Sequence, residues 1–167
     1  MATGNAPNLG KLTTLELLRL QAQAVEQLVQ QEIVRTRNNP VADYAEHLVA
    51  KAYGWQLEAN SKAGYDILGD GDRYQVKSRR VTAANKSRQL GVIRKYDEKP
   101  FDWLIAVIFN EDFTVQQAIK LPHAAIRERS KFNDAVNGRI LHLKGKILTH
   151  PDLIDITDDI KAAQLEH

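Results

Sequence analysis

The sequence predicts a mixed α/β domain led by a long helix, on three observations. Apolar residues recur at helical spacing from about Thr13 to Arg35 and again from Val41 to Ala52. Strand-like segments follow between Trp55 and Leu121, among them the continuous apolar run WLIAVIF at 103–109. Between two of these lies Asp70-Gly71, a pair that favours a two-residue hairpin because both central positions need positive φ. Two helices, a run of strands and then further helices is the order of a mixed α/β fold.

Each element has its own signature. Residues 1–10, MATGNAPNLG, are small and polar and are expected to form a flexible arm. In the segment 11–36, Leu15, Leu18, Ala22, Val25 and Val29 fall at alternating steps of three and four, and Thr13 or Thr14 can cap the start. That narrow seam suits packing on its own domain or on a second copy, which makes the helix a candidate homodimer contact. The main domain is expected over 37–164. It opens with a helix for which Asn39 is a good N-cap, Pro40 a good first residue and Gly54 a good terminator. Its broad apolar face gathers Val41, Ala42, Tyr44, Ala45, Leu48, Val49 and Ala52, with Glu46 at the margin and Asp43 and His47 further round. WQLEA at 55–59 reads as a strand, a short helix is expected near Arg88–Lys95, and WLIAVIF is the central strand. TVQQAIKL (114–121) is another strand, His123–Lys131 a helix after Pro122, RILHL (139–143) a last strand, and 151–164 an acidic helical tail. The closing Leu165-Glu166-His167 reads as the start of a vector-encoded histidine tail.

The chain has 167 residues, 43% hydrophobic and 26% charged, enough for a proper core. It contains no cysteine, which excludes disulfides, thiol chemistry and cysteine-ligated zinc. No apolar run reaches the length of a membrane span and the N-terminus lacks a signal pattern, so a cytoplasmic location with no membrane partner is expected.

The chemistry is expected in the stretch YDILGDGDRYQVKSRR, residues 65–80. With Asp70-Gly71 as the turn, cross-strand partners have numbers that sum to 141, so Asp66 lies opposite Gln75. Lys77, two residues on, shares their face, while Tyr65, Ile67, Tyr74 and Val76 collect on the other. A three-residue turn would instead move the partner of Asp66 to Tyr74 or Val76. Asp66 and the Gln75 side-chain oxygen are hard ligands suited to Mg²⁺ or Mn²⁺, and two ligands leave room for water and a phosphate oxygen. Lys77 could hold an attacking water and offset charge developing at phosphorus. Glu46 is the best candidate for a second carboxylate.

Charge is concentrated beside this hairpin. Between Lys77 and Lys99 eight basic residues (Lys77, Arg79, Arg80, Lys86, Arg88, Arg94, Lys95, Lys99) face Asp97 and Glu98, a net of +6 in a chain whose total is +2. Such concentration suits phosphate binding, and the arginine fork suits it further. Arg79, Arg80, Lys86, Arg88 and Arg94 are therefore candidate DNA contacts. Histidines 47, 123, 142 and 150 show no metal-binding spacing, and no Gly-rich phosphate loop or nucleophile elbow is present.

Over about residues 38–121 these features resemble the PD-(D/E)XK nuclease superfamily: Glu46 on a helix, Tyr65-Asp66, the hairpin, Gln75-Val76-Lys77, a basic segment and a buried strand. Tyr65 stands where the name's proline would be and Gln75 where an acid is usual, a Gln-x-Lys variant similar to that of Mrr-type nucleases. The resemblance implies a restriction-endonuclease-like three-layer α/β/α fold around a central mixed β-sheet. It also implies Mg²⁺-dependent (or Mn²⁺-dependent) DNA hydrolysis, with Asp66, Gln75, Lys77 and Glu46 as the catalytic set. The expected setting is restriction, defence or mobile-DNA processing by a homodimer. Specificity would come from loops of this fold or from a partner protein. The alternatives are a junction or single-strand nuclease of the same fold, and an inactive DNA-binding or assembly module in which Gln75 marks a lost acid.

Overall fold

The computed structural model describes residues 7–59 and 64–165 in two compact units that divide at Pro40 and Val41. The first holds a 3₁₀ turn at Leu9–Lys11 and helix α1 (Thr14–Gln30). Thr13 caps α1 through a reciprocal capping box: its hydroxyl accepts from the Glu16 amide while the Glu16 carboxylate accepts from the Thr13 amide at 2.8 Å. The helix ends five residues before the expected Arg35, because Gln31 leaves helical geometry and Glu32 turns into the left-handed region at φ 58°. No residue of α1 is buried. The expected flexible arm falls mostly on residues 1–6, outside the described residues.

The second unit is a mixed α/β domain. Helix α2 (Val41–Tyr53) is followed by β1 (Gln56–Leu57), β2 (Ile67–Gly69), β3 (Asp72–Arg80), β4 (Trp103–Phe109) and β5 (Val115–Pro122). Then come α3 (His123–Arg127), β6 (Ser130–Asn133), β7 (Gly138–Leu141), β8 (Ile154–Asp155) and α4 (Thr157–Leu165). One six-stranded sheet runs in the order β1-β2-β3-β4-β5-β8, with β3 and β4 parallel and every other pair antiparallel. β6 and β7 form a separate two-stranded ribbon. No helix among the described residues is long and apolar enough to cross a membrane.

Strand β4 is central and its alternation builds two cores. Ile105, Val107 and Phe109 face one way, against Ala45, Leu48 and Val49 of α2 and Ile160 of α4. Leu104, Ala106 and Ile108 face the other, against Leu90, Ile93, Tyr96, Phe101, Ile126 and Leu141. The second face is thus covered by α3, the ribbon and the connection from β3 to β4. A parallel pair needs a long crossover, and this one spans residues 81–102, the basic segment itself. Leu90, Ile93, Tyr96 and Phe101 of this crossover are buried, while Lys86, Arg94, Lys95 and Lys99 are exposed.

Several sequence expectations are corrected here. WQLEA yields only the two-residue strand β1. Arg88–Lys95 is not a helix: the amides of Leu90 and Ile93 donate to the carbonyls of Leu141 and Arg139, and pairing across the fold overrides the helical spacing of Leu90 and Ile93. The helix expected over His123–Lys131 stops at Arg127, because Ser130–Asn133 pair with Gly138–Leu141. RILHL contributes β7 but is not the last strand, since β8 pairs with β5. Tyr65 packs with the Leu104 cluster rather than with Ile67 and Tyr74, because β2 begins only at Ile67. Leu165 is the last residue of α4, and the rest of the supposed tail lies outside the described residues.

The rings of Tyr53, Trp55 and Tyr74 stack in series at centroid separations of 4.4 and 4.3 Å. Gly69 makes room for them, since a Cβ there would come 2.3 Å from the Trp55 ring. Gly69→Ala is therefore expected to destabilise the domain by about 1–3 kcal/mol, the usual cost of overpacking, read as a lower urea midpoint with a weakened near-UV aromatic signal.

Candidate functional site

The hairpin turn sets the geometry. Asp70 and Gly71 both have positive φ, 52° and 86°, and the pairs are Ile67↔Tyr74, Leu68↔Arg73 and Gly69↔Asp72. Every pair sums to 141, so the two-residue register holds and the three-residue alternative does not. The Asp66 amide continues the ladder, donating to the Tyr74 carbonyl at 2.8 Å.

Past Tyr74 the strands part. β3 runs on to Arg80 while the chain before Asp66 leaves the sheet, so that side of β3 has no strand neighbour among the described residues. The side chain of Asp66 takes over from the missing backbone: its Oδ2 accepts from the Val76 amide at 2.8 Å. One oxygen of the carboxylate is thereby fixed at the strand edge. A second substitute lies further along, where the Ser78 hydroxyl donates to the Val41 carbonyl at 3.1 Å and ties β3 to the start of α2.

A cavity of about 570 Å³ opens at this edge. Asp66, Gln75 and Lys77 line it from the hairpin and Glu46 from α2, while Gly91, Arg94, Lys95 and Glu98 line it from the crossover. Glu46 is only 7% exposed although it sits at the margin of its helix. Gln75, also 7% exposed, donates through Nε2 to the Gly64 carbonyl at 3.1 Å. Its Oε1 is buried with no hydrogen-bond partner. A buried acceptor with nothing to accept is costly, and here it belongs to a residue that lines the same cavity as two carboxylates.

Lys77 is held in the same wall, two residues from Gln75 and over Ala106 of β4. Burial is the main influence on it and pushes its ammonium below the ordinary lysine range. Asp66 and Glu46 oppose that shift, and Arg94 adds to it by like-charge repulsion. The cavity therefore holds a lysine that gives up its proton more readily than a surface lysine does. Lys95 and Lys99, on either side of the 3₁₀ turn Tyr96–Glu98, both adopt the left-handed conformation, at φ 54° and 49°. Such strain persists only where surrounding structure fixes it, and it recurs at functional sites.

All four expected site residues, Glu46, Asp66, Gln75 and Lys77, thus share one cavity. The expected DNA-contacting cations divide. Arg94 is exposed at the cavity wall. Arg88 is committed elsewhere, donating to the Leu143 carbonyl at 2.9 Å and to the side chains of Gln116 and Gln117. Arg80 stacks its guanidinium on Phe113 at 4.5 Å, on the opposite face of the sheet from Lys77. Lys86 is exposed beside a different concavity, and the Arg79 Nε is buried without a partner. Sequence reasoning passed over Lys95 and Glu98 as site residues, having counted them only as charge; their place in the wall follows from the path of the crossover, which no local pattern announces. No cluster of three or more His, Asp or Glu side chains stands ready for a metal ion among the described residues. The donor set offered is two carboxylates and the orphaned Gln75 oxygen, hard oxygens of the kind Mg²⁺ and Mn²⁺ take alongside water. Neither the protein-family models nor the curated proteins compared with this chain match it.

Replacing Arg94 by Met removes the like charge facing Lys77. Its pKa is then expected to rise toward the ordinary value of 10.5, so the Nζ titration followed by NMR moves to higher pH. An unmoved titration would mean that Arg94 does not act on Lys77.

Proposed function

We propose that this chain is a metal-dependent endodeoxyribonuclease of restriction-endonuclease-like fold, with Glu46, Asp66, Gln75 and Lys77 as its active site. The observation that carries the reading is the buried, unpartnered Oε1 of Gln75 in a cavity shared with two carboxylates and a lysine. A divalent cation would satisfy that oxygen together with Asp66 and Glu46. When bound, it would supply Lewis-acid polarisation of a phosphate oxygen and charge for the developing transition state.

The protein's own groups account for the rest. Asp66 keeps its carboxylate at the strand edge through the Val76 amide, so its placement depends on the hairpin register. Gln75 is aimed by its bond to Gly64. Lys77 holds the attacking water and offsets the negative charge that gathers on phosphorus. In hydrolysis the water oxygen bonds to phosphorus, the phosphorus–alcohol oxygen bond breaks, and the leaving oxygen takes up a proton. Arg94 at the rim offers a fork to a flanking phosphate.

Lys77→Ala and Asp66→Ala are each expected to abolish nicking of supercoiled plasmid in Mg²⁺ or Mn²⁺; Lys77→Ala leaves the melting temperature near that of the wild type, whereas Asp66→Ala lowers it without unfolding the domain, because the Val76 amide loses its acceptor. EDTA is expected to stop the wild type. Metal-independent binding without cleavage of plasmid, branched or single-stranded DNA would instead favour the inactive binding module. Gln75→Glu adds a charge where the orphaned oxygen lies and gives up the donor to the Gly64 carbonyl; cleavage at a lower Mg²⁺ requirement, with a lower melting temperature, is the expected outcome.

Cutting both strands of a duplex is simplest for a two-fold dimer, and α1 supports one. Leu15 and Leu18 of its seam are 55% and 58% exposed. Laid antiparallel on a second copy, with Ala22 beside Val25, the helix sets Arg19 of each chain near Glu26 of the other, an opposite-charge flank repeated by symmetry. The Glu26 carboxylate already accepts from Arg37 within its own chain and keeps lone pairs for a second cation. Leu18→Asp is expected to convert dimer to monomer in analytical ultracentrifugation.

A further inference from the structure

Charge is segregated beyond the crossover. Residues 127–146 carry Arg127, Arg129, Lys131, Arg139, Lys144 and Lys146 against Glu128 and Asp134, a net of +4. With the +6 of residues 77–99, the two segments hold +10 in a chain whose total is +2, so the remainder is −8. The fold joins the two basic segments edge to edge: Gln89 bridges to His142 and Ile93 to Arg139.

This seam closes a groove of about 650 Å³ beside the β6–β7 ribbon. Arg129, Lys131 and His142 line it and are exposed, with Ile140 half-buried between them. None of the ion pairs of the described residues uses Arg129 or Lys131. Phe132 lines the same groove and leaves 50% of its surface in solvent. The one acid in the lining is Asp134. An exposed ring among unpaired cations suits a ligand that has both negative charge and flat apolar faces.

One segment of the crossover borders both the groove and the candidate active site. Gln89 lines the groove, and Gly91 and Val92 line the cavity. Gly91 lies close to the active-site lysine: a Cβ added there would come 3.6 Å from the Lys77 side chain.

We propose that this groove is a second nucleic-acid site that binds a single strand, with phosphates on Arg129 and Lys131 and a base stacked on Phe132. Stacking on an aromatic side chain needs an unpaired base, which is why a single strand rather than a duplex fits. The site holds the strand that passes Gly91 to or from Lys77; that role in cleavage rests on the proposed nuclease function, whereas the binding itself does not.

The test is fluorescence anisotropy of a fluorescein-labelled oligothymidylate with the full chain, in EDTA so that no cleavage intervenes. Wild type is expected to bind. Arg129→Ala/Lys131→Ala is expected to bind at least about ten-fold more weakly at low salt, with the slope of log K against log salt reduced by about 1.4, two phosphates' worth for a single strand. Phe132→Ala is expected to lose about five-fold or more, and Phe132→Trp to retain affinity, because stacking of one base contributes at least about 1 kcal/mol. Equal melting temperatures confirm that the variants fold, and Lys131→Arg is expected to bind as wild type does. Unchanged affinity in both the double variant and Phe132→Ala would overturn the proposal, as would no binding by wild type. Equal loss for a duplex and a single strand, with Phe132→Ala silent, would overturn the single-strand assignment in favour of a duplex backbone contact. Binding without plasmid cleavage would sink the nuclease reading and leave the groove; cleavage by wild type with no effect of these variants on binding would do the reverse.

Discussion

The register of one hairpin governs the geometry of the candidate site. Because side chains alternate with a period of two, a slip of one residue would turn Gln75 and Lys77 to the α2 face and bring Tyr74 and Val76 to the face of Leu104 and Ala106. Positive φ at both Asp70 and Gly71 blocks that slip by fixing a two-residue loop. The same turn decides where β2 ends relative to β3. Among the described residues it leaves the β3 edge beyond Tyr74 without a strand neighbour, and the cavity forms along that edge. Asp66 then has two tasks: it closes the ladder at Val76 with one oxygen and presents its carboxylate to the cavity.

Electrostatics follow from the same layout. Glu46 comes from the α2 side of the sheet, while Gln75 and Lys77 lie on the opposite face with Leu104 and Ala106. The open edge is where groups from both faces can converge. Burial there is deep enough to lower the Lys77 pKa, and the two acids keep the shift from growing larger. The crossover finishes the wall by bringing Arg94, Lys95 and Glu98 around the rim.

Much of this was legible in the sequence because it depends on local rules. Asp-Gly dictates the turn, alternation sorts Ile67, Tyr74 and Val76 from Gln75 and Lys77, and an unbroken apolar run marks β4 as buried on both faces. The helical period of α2 placed Glu46 at the margin of an apolar face. What was not legible depends on pairing between distant segments. Leu90 and Ile93 are spaced as on a helix, yet their amides bond to β7 some fifty residues away. Ser130 and Lys131 look like the end of a helix until β7 claims them. Arg88 and Arg94 are equally basic in sequence, and only the fold shows that one is spent on Leu143, Gln116 and Gln117 while the other faces the cavity.

The parallel pairing of β3 with β4 also bears on how the chain reaches this state. A hairpin can form from neighbours, so Asp66, Gln75 and Lys77 can meet early and locally. Pairing β3 with β4 requires closing the loop 81–102, and covering that loop requires β7, which is synthesised later still. Contacts of such sequence separation form slowly. The hairpin half of the cavity is therefore expected to precede its crossover half during folding. Until the second half arrives, the open edge of β3 and the apolar surface of Leu104, Ala106 and Ile108 stand uncovered, and that interval is when the chain is most exposed to pairing with another copy.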